Sequence, residues 1–213
     1  GFKRYFMLKK ILLAFFILIL LTLSFLFFYY ADKVDADFNP TSLEKPYQFT
    51  ERAEKLYNSL DFVADLHCDA LMWQRNMNQR HDYGHVDIPR MQQGGMSFQA
   101  FTMVTKYPSG LNVHSNGADT DRITGLVMGQ GKPPSTWFSL MGRAVHQCRK
   151  LNRAAKKNPE FHMIGSKKDL INYINLKNSE PGKNHVSGFL GIEGAHCLEG
   201  KIENLERLYN LGV

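Results

Sequence analysis

The stretch Phe62-Val63-Ala64-Asp65-Leu66-His67-Cys68-Asp69 constrains the fold more than any other part of this chain. An apolar run ends in a His and an Asp two residues apart. Residues i and i+2 of a β-strand point to the same side. The pattern therefore predicts a strand that presents His67 and Asp69 together from its C-terminal end. The stretch Val186-Ser187-Gly188-Phe189-Leu190-Gly191-Ile192-Glu193-Gly194-Ala195-His196 has the same form: an apolar strand that delivers Glu193 at its end. Parallel β/α barrels collect their active-site residues at the C-terminal ends of the strands. Two strand-end clusters of metal-ligand residue types are thus the pattern of a barrel-type metallohydrolase.

The segments between these two stretches alternate in type. Thr50 with Glu51–Tyr57 reads as a capped helix start. A strand is predicted over 62–66, a loop over 74–85, a short helix from Ile88 to the Gly94-Gly95 pair, and a second strand over 96–104. A long loop over 108–134 holds a helical turn within 119–129. A helix over 135–157 carries Phe138, Met141, Val145 and Leu151 at near-helical spacing. A short strand (161–164), a helix capped by Ser166 (167–176), a strand (186–192) and a helix over 202–211 ended by Gly212 complete the pattern. Strands alternating with helices imply a parallel sheet. The fold class expected is α/β, the first strands of a (β/α)8 TIM-type barrel preceded by an N-terminal transmembrane or signal helix. No G-x-G-x-x-G loop is present, so a dinucleotide-binding fold has no support.

Ile11 to Tyr30 is an unbroken run of 20 residues without a charge, and about 20 apolar residues span a bilayer as a helix. Lys9 and Lys10 precede it, whereas Asp32, Asp35 and Asp37 follow. Basic flanks stay on the cytoplasmic side, so the rest of the chain is expected on the exported side, periplasmic or extracellular. Membrane anchoring is the leading expectation. Secretion after cleavage, with Val34-Asp35-Ala36 as a poor small-x-small site, is the alternative. Translation is expected to start at Met7, with residues 1–6 as an upstream extension. The domain plan is a basic flank (1–10), an apolar segment (11–30), a linker (31–50) and the barrel portion (51–213).

The net charge of +6 is misleading. Setting aside Lys3, Arg4, Lys9 and Lys10 leaves 22 basic against 20 acidic residues, or +2. The excess is topogenic, and nucleic-acid binding is rejected. The three cysteines, Cys68, Cys148 and Cys197, form no Cys-x-x-Cys pair, which argues against a structural thiolate zinc site. Cys68 and Cys197 are expected to be small buried residues.

His nitrogen and carboxylate oxygen suit zinc and related divalent ions. A catalytic site of this kind acidifies a water into a nucleophile near neutral pH, and a carboxylate such as Glu193 can bridge two ions. His196 is a candidate to orient Glu193 from behind, with a purely structural His as the competing reading. His81, His85, His114, His146, His162 and His185 are read as non-ligands.

Three segments together resemble the membrane (renal-type) dipeptidases. Asp65-Leu66-His67-Cys68-Asp69 is similar to that family's D-G-H-x-D motif, with Leu66 where Gly is common. The segment 85–96 resembles T-D-I-P-R-L-x-x-G-G-V. Gly191-Ile192-Glu193-Gly194-Ala195-His196 resembles G-x-E-G-x-H, and 205–213 resembles L-x-x-x-Y-x-L-G-V. The resemblance covers about residues 50–213. It implies a zinc-dependent dipeptidase with a binuclear site: His67 and Asp69 on one ion, and Glu193 bridging both as the catalytic carboxylate. It also implies dipeptide substrates and two zinc ions in the complete protein, and a homodimer is an open expectation. The family's barrel runs well past Val213, so this chain is expected to be an N-terminal portion, inactive and unstable alone. Another metal-dependent barrel amidohydrolase and a non-catalytic membrane-tethered module are the alternatives.

Overall fold

The computed structural model of the protein describes residues 2–41 and 46–213. Residues 42–45 of the expected linker and Gly1 of the expected upstream extension lie outside the described residues. Helix α1 (Phe2–Phe38) contains the whole uncharged run. It is long and apolar enough to cross a membrane, and no part of its most apolar window is buried in the protein. Such a helix fits a membrane anchor or a signal sequence.

The helix does not stop at Tyr30, as the linker assignment supposed; it continues for two further turns to Phe38. The reason is tertiary. Ala31 and Asp35, four residues apart and hence on one helix face, are 3% and 4% exposed. Asp35 accepts from Arg75 Nε at 3.0 Å, with both side chains out of water. Asn39 Nδ2 donates to Asp35 O at 2.9 Å and closes the helix end. The cleavage-type triplet 34–36 is therefore helical, and its Asp35 is packed.

Beyond this lie α2 (Glu51–Asn58), β1 (Ala64–Cys68), α3 (Ile88–Gln93), β2 (Phe98–Val104), α4 (Ile123–Gly129), α5 (Leu140–Lys157), β3 (Phe161–Met163), α6 (Lys167–Ser179), β4 (Val186–Glu193) and α7 (Glu203–Tyr209). Side-chain caps start four of the helices. Thr50, Asp87, Ser139 and Ser166 each accept from the main-chain N–H three residues on, which satisfies a donor the helix leaves free. Helix α5 begins at Leu140 rather than near 135, because Ser139 is the cap. Phe138 therefore falls outside the helix and is 80% exposed, not on its core face.

All pairings in the sheet are parallel, as the alternation predicts. The strand order is β1-β2-β4-β3. A barrel built strictly in chain order would put β3 beside β2. Here β4 takes that place, paired along the whole length of β2 from Ser187↔Phe98 to Glu193↔Val104. The short β3 meets only Val186–Gly188 at the outer edge of β4. A mixed α/β fold with a parallel sheet is compatible with part of a TIM-like barrel, with β3 as a short outer strand. Among the described residues, the outer edge of β4 from Phe189 to Glu193 carries no partner strand. Ile202, Leu205 and Tyr209 nearby are exposed.

One face of the sheet packs against α5 and the turn after β1. Phe101, Met103, Leu151 and Leu190, each at most 1% exposed, form its centre with Leu71 and Ile88. Each such side chain removed from water contributes about 1.5–3 kcal/mol. Gly188 is required here: a Cβ would stand 2.7 Å from the Phe101 ring and 2.9 Å from Gln99 O. A second cluster (Met141, Ala144, Val145, Cys197, Leu208) ties α5 to α7. Cys148 and Cys197 are fully buried, and Cys68 packs on the core from a half-buried position. Both core clusters thus lie on one side, and the site occupies the other face of the sheet, where Ala100 is also buried.

Candidate metal centre

Strand β1 is irregular where it matters. Asp65 pairs with Gln99, yet Cys68 pairs with Phe101, so one extra residue is accommodated between them. His67 N donates to the side-chain Oδ1 of Asp65 at 3.1 Å. Bulges of this kind re-aim side chains next to functional sites. Here the bulge sends both Asp65 and Cys68 toward the packed face and leaves His67 and Asp69 on the other. The i, i+2 relation predicted for these two residues therefore survives. Burial raises the Cys68 thiol to about 11, with a main-chain hydrogen bond from Ala70 opposing it. Cys68 is accordingly a packed thiol rather than a thiolate ligand.

Glu193 arrives from β4. It is level with Val104 on β2, and Gly191 is level with Thr102. The ligand atoms converge across β2. His67 Nε2 lies 2.9 Å from Glu193 Oε2 and 3.5 Å from Asp69 Oδ1. One ligand atom from each residue falls within 4.8 Å of the others. The side chains of His67, Asp69 and Glu193 are 57%, 34% and 52% exposed, so the cluster is open to an ion and to substrate. Ligands of a tetrahedral zinc with bonds of about 2.0–2.2 Å stand roughly 3.3–3.6 Å apart; the His67–Asp69 separation of 3.5 Å falls in that range, and the His67–Glu193 separation of 2.9 Å is shorter. The donor set, one imidazole and two carboxylates, also fits a divalent ion.

Sequence reasoning missed Thr102. Its hydroxyl donates to Asp69 Oδ1 at 2.5 Å and fixes that carboxylate from the neighbouring strand. The available signal was a lone hydroxyl in the apolar run Phe98–Val104, in phase with Phe98 and Ala100. Gly194, at φ 71°, turns the chain sharply out of β4. His196 follows in the short helical turn Ala195–Leu198. Its exposed ring folds back over Gly194, 3.1 Å from where a Cβ would be. Among the described residues it makes no hydrogen bond to Glu193.

The other histidines stay away from the trio. His162 and His185 hydrogen-bond to each other at 3.0 Å, and His185 Nε2 lies 2.9 Å from Glu180 Oε2, at the opposite ends of β3 and β4. His146 lies on α5, where burial and nearby cations lower it to about 4.

Residues 50–213 match the family model of the membrane dipeptidases, peptidase family M19. The chain belongs to this family. The candidate trio of this membrane dipeptidase family member lies wholly within the matched residues. The chain is also similar to an uncharacterised dipeptidase of Schizosaccharomyces pombe, with 25% identity over 138 residues. That stretch is 65% of this chain and 29% of the yeast protein, so the chain spans well under half of that relative's length. No solved structure matches the chain significantly.

Proposed function

We propose that this chain supplies the first metal-binding strands of an exported, membrane-attached zinc dipeptidase, whose barrel is completed by further strands. The observation that carries the reading is the convergence of His67 Nε2, Asp69 Oδ1 and Glu193 Oε2 at strand ends, in a chain of a dipeptidase family. His67 and Asp69 would hold one zinc ion, and Glu193 would bridge it to a second. Bound there, the ions would polarise a peptide carbonyl and acidify a water.

The chain's own residues prepare that chemistry. Thr102 holds Asp69 in place, so the carboxylate keeps its charge aimed at the site rather than sampling solvent. Glu193 is the residue we assign to catalysis, because its exposed carboxylate can reach the ion held by His67 and Asp69 and a second ion beside it, and so hold the pair together. Gly191 leaves room beside Thr102 for a small extended substrate. His196, free at the rim, is placed to orient Glu193 or the substrate's carboxylate. The 29% span of the yeast relative supports further strands, and the open outer edge of β4 gives them a place to pair.

The test is metal content and hydrolysis of a dipeptide panel by the complete protein. Two zinc ions per chain are expected, with turnover abolished and one ion weakened in Glu193→Gln. A protein that folds and binds no divalent ion would overturn the reading.

A further inference from the structure

Besides the Asp35–Arg75 pair, helix α1 is seated on α4 and the turn that follows it. A Cβ at Gly129 would stand 3.2 Å from Ala31 Cβ and 3.4 Å from Phe27 O, and one at Gly131 would stand 3.3 Å from the Phe28 ring. Two glycines thus let α4 and the following turn close onto the last apolar turns of the helix. Tyr29 and Tyr30 beside them are exposed, as aromatic residues are at a headgroup level.

A cleft of about 310 Å3 opens beside this junction, between the loop after β1, the segment Gln130–Pro133 and α5. Among the described residues, its walls carry Arg75, Lys132, Lys150, Arg153 and Lys157, and no carboxylate. Arg75 is engaged by the buried Asp35. Lys132 and Lys150 donate to the main-chain carbonyls of Met72 and Trp73, which are neutral acceptors. Desolvation and then neighbouring cations draw both ammonium groups down to about 7, against the opposing pull of the buried Asp35 carboxylate. Gln130, 2% exposed, adjoins the cleft, with both its amide atoms sealed from solvent and unpartnered among the described residues. Buried polar atoms of this kind ordinarily have partners. A recess lined by cations at the end of α1 fits a phosphate group.

We propose that this cleft binds the phosphate of an anionic phospholipid headgroup and so seats the body of the protein on the bilayer surface. Its position against the end of α1 selects a lipid over a free anion. The proposal rests on the reading that α1 lies in the bilayer.

The test uses the full chain in nanodiscs of phosphatidylcholine alone or mixed with phosphatidylglycerol, with retained lipids counted by native mass spectrometry. Phosphatidylglycerol is expected to be retained preferentially. Arg153→Glu/Lys157→Glu, at two exposed positions, is expected to cut that preference by about fivefold per site. Lys132→Gln is expected to cut it as well, and circular dichroism checks that each variant is folded. Insertion with retained lipid in the bulk ratio, or a preference untouched by the double variant, overturns the proposal alone. Inorganic phosphate binding in phosphatidylcholine discs without a phosphatidylglycerol preference also overturns it in favour of a free anion. Failure of α1 to enter nanodiscs removes the membrane reading, and this proposal with it.

Discussion

Replacing Thr102 by Val tests whether Asp69 is held in place for an ion. The Thr102 hydroxyl donates to Asp69 Oδ1 at 2.5 Å. A hydrogen bond to a charged acceptor contributes about 1.5–3 kcal/mol when water is excluded. Asp69 is 34% exposed, so water replaces part of the lost bond and about 1–2 kcal/mol remains. If that stabilisation serves ion binding, the variant binds a divalent ion roughly 5- to 30-fold more weakly. This overlaps the tenfold or greater losses, about 10–100-fold, seen when the hydrogen-bond partners of metal ligands are removed. The assay is a titration with Co2+ as an optical stand-in for zinc, followed by its visible absorption. Thr102→Ser keeps the hydroxyl and is expected to bind as the parent does. Parental affinity in Thr102→Val, or an equal loss in Thr102→Ser, would refute the reasoning, since either result separates ion binding from the hydroxyl.

Gly188→Ala forces a Cβ to within 2.7 Å of the Phe101 ring and 2.9 Å of Gln99 O; it is expected to destabilise the fold by about 1–3 kcal/mol, measured as a lower urea midpoint. Arg143 donates to Thr136 O, Thr105 O, Asp121 Oδ2, Thr124 Oγ1 and Trp137 O from a site 2% exposed. Arg143→Met should cost about 3–5 kcal/mol in the same assay, because it strands a carboxylate and three carbonyls. Burial works to raise the Asp121 carboxyl, but the Arg143 guanidinium and the N–H groups of Ile123 and Tyr107 outweigh it and hold it below 3.8. Its contribution is therefore present above that value and is lost as the pH falls through the lower folded one. Acid unfolding of Asp121→Asn should accordingly be shallower below about pH 4. Chelation is expected to strip the ion and leave the far-ultraviolet circular dichroism unchanged, since the trio is exposed and the core lies on the other face of the sheet; unfolding on chelation would make the centre structural.

The trio was legible in the sequence because strand periodicity is local. An apolar run followed by His-x-Asp, and another ending in Glu, identify the ends of two strands without knowledge of their partners. The helix caps at Thr50 and Ser166 were legible for the same reason, since a cap acts within three residues. Phe138 was misread because helical spacing was extended past the Ser139 cap, which competes for the helix start. Thr102 was hidden because its role depends on β1 lying beside β2, and the bulge at 65–68 because it shows only against a partner strand.

Local chemistry thus determined the uncharged span of α1, the parallel α/β class and the residue types that form the candidate centre. Tertiary structure decided everything that needs two distant segments at once. It set β4 rather than β3 beside β2, which brings Glu193 to His67. It drew α1 on to Phe38 through the Asp35–Arg75 pair. It also gathered cations from α5, from the turn after α4 and from the loop after β1 into one recess. Spacing along the chain carries no information about such encounters. They follow from which faces the core buries, and that choice is made by the whole sheet and its helices together.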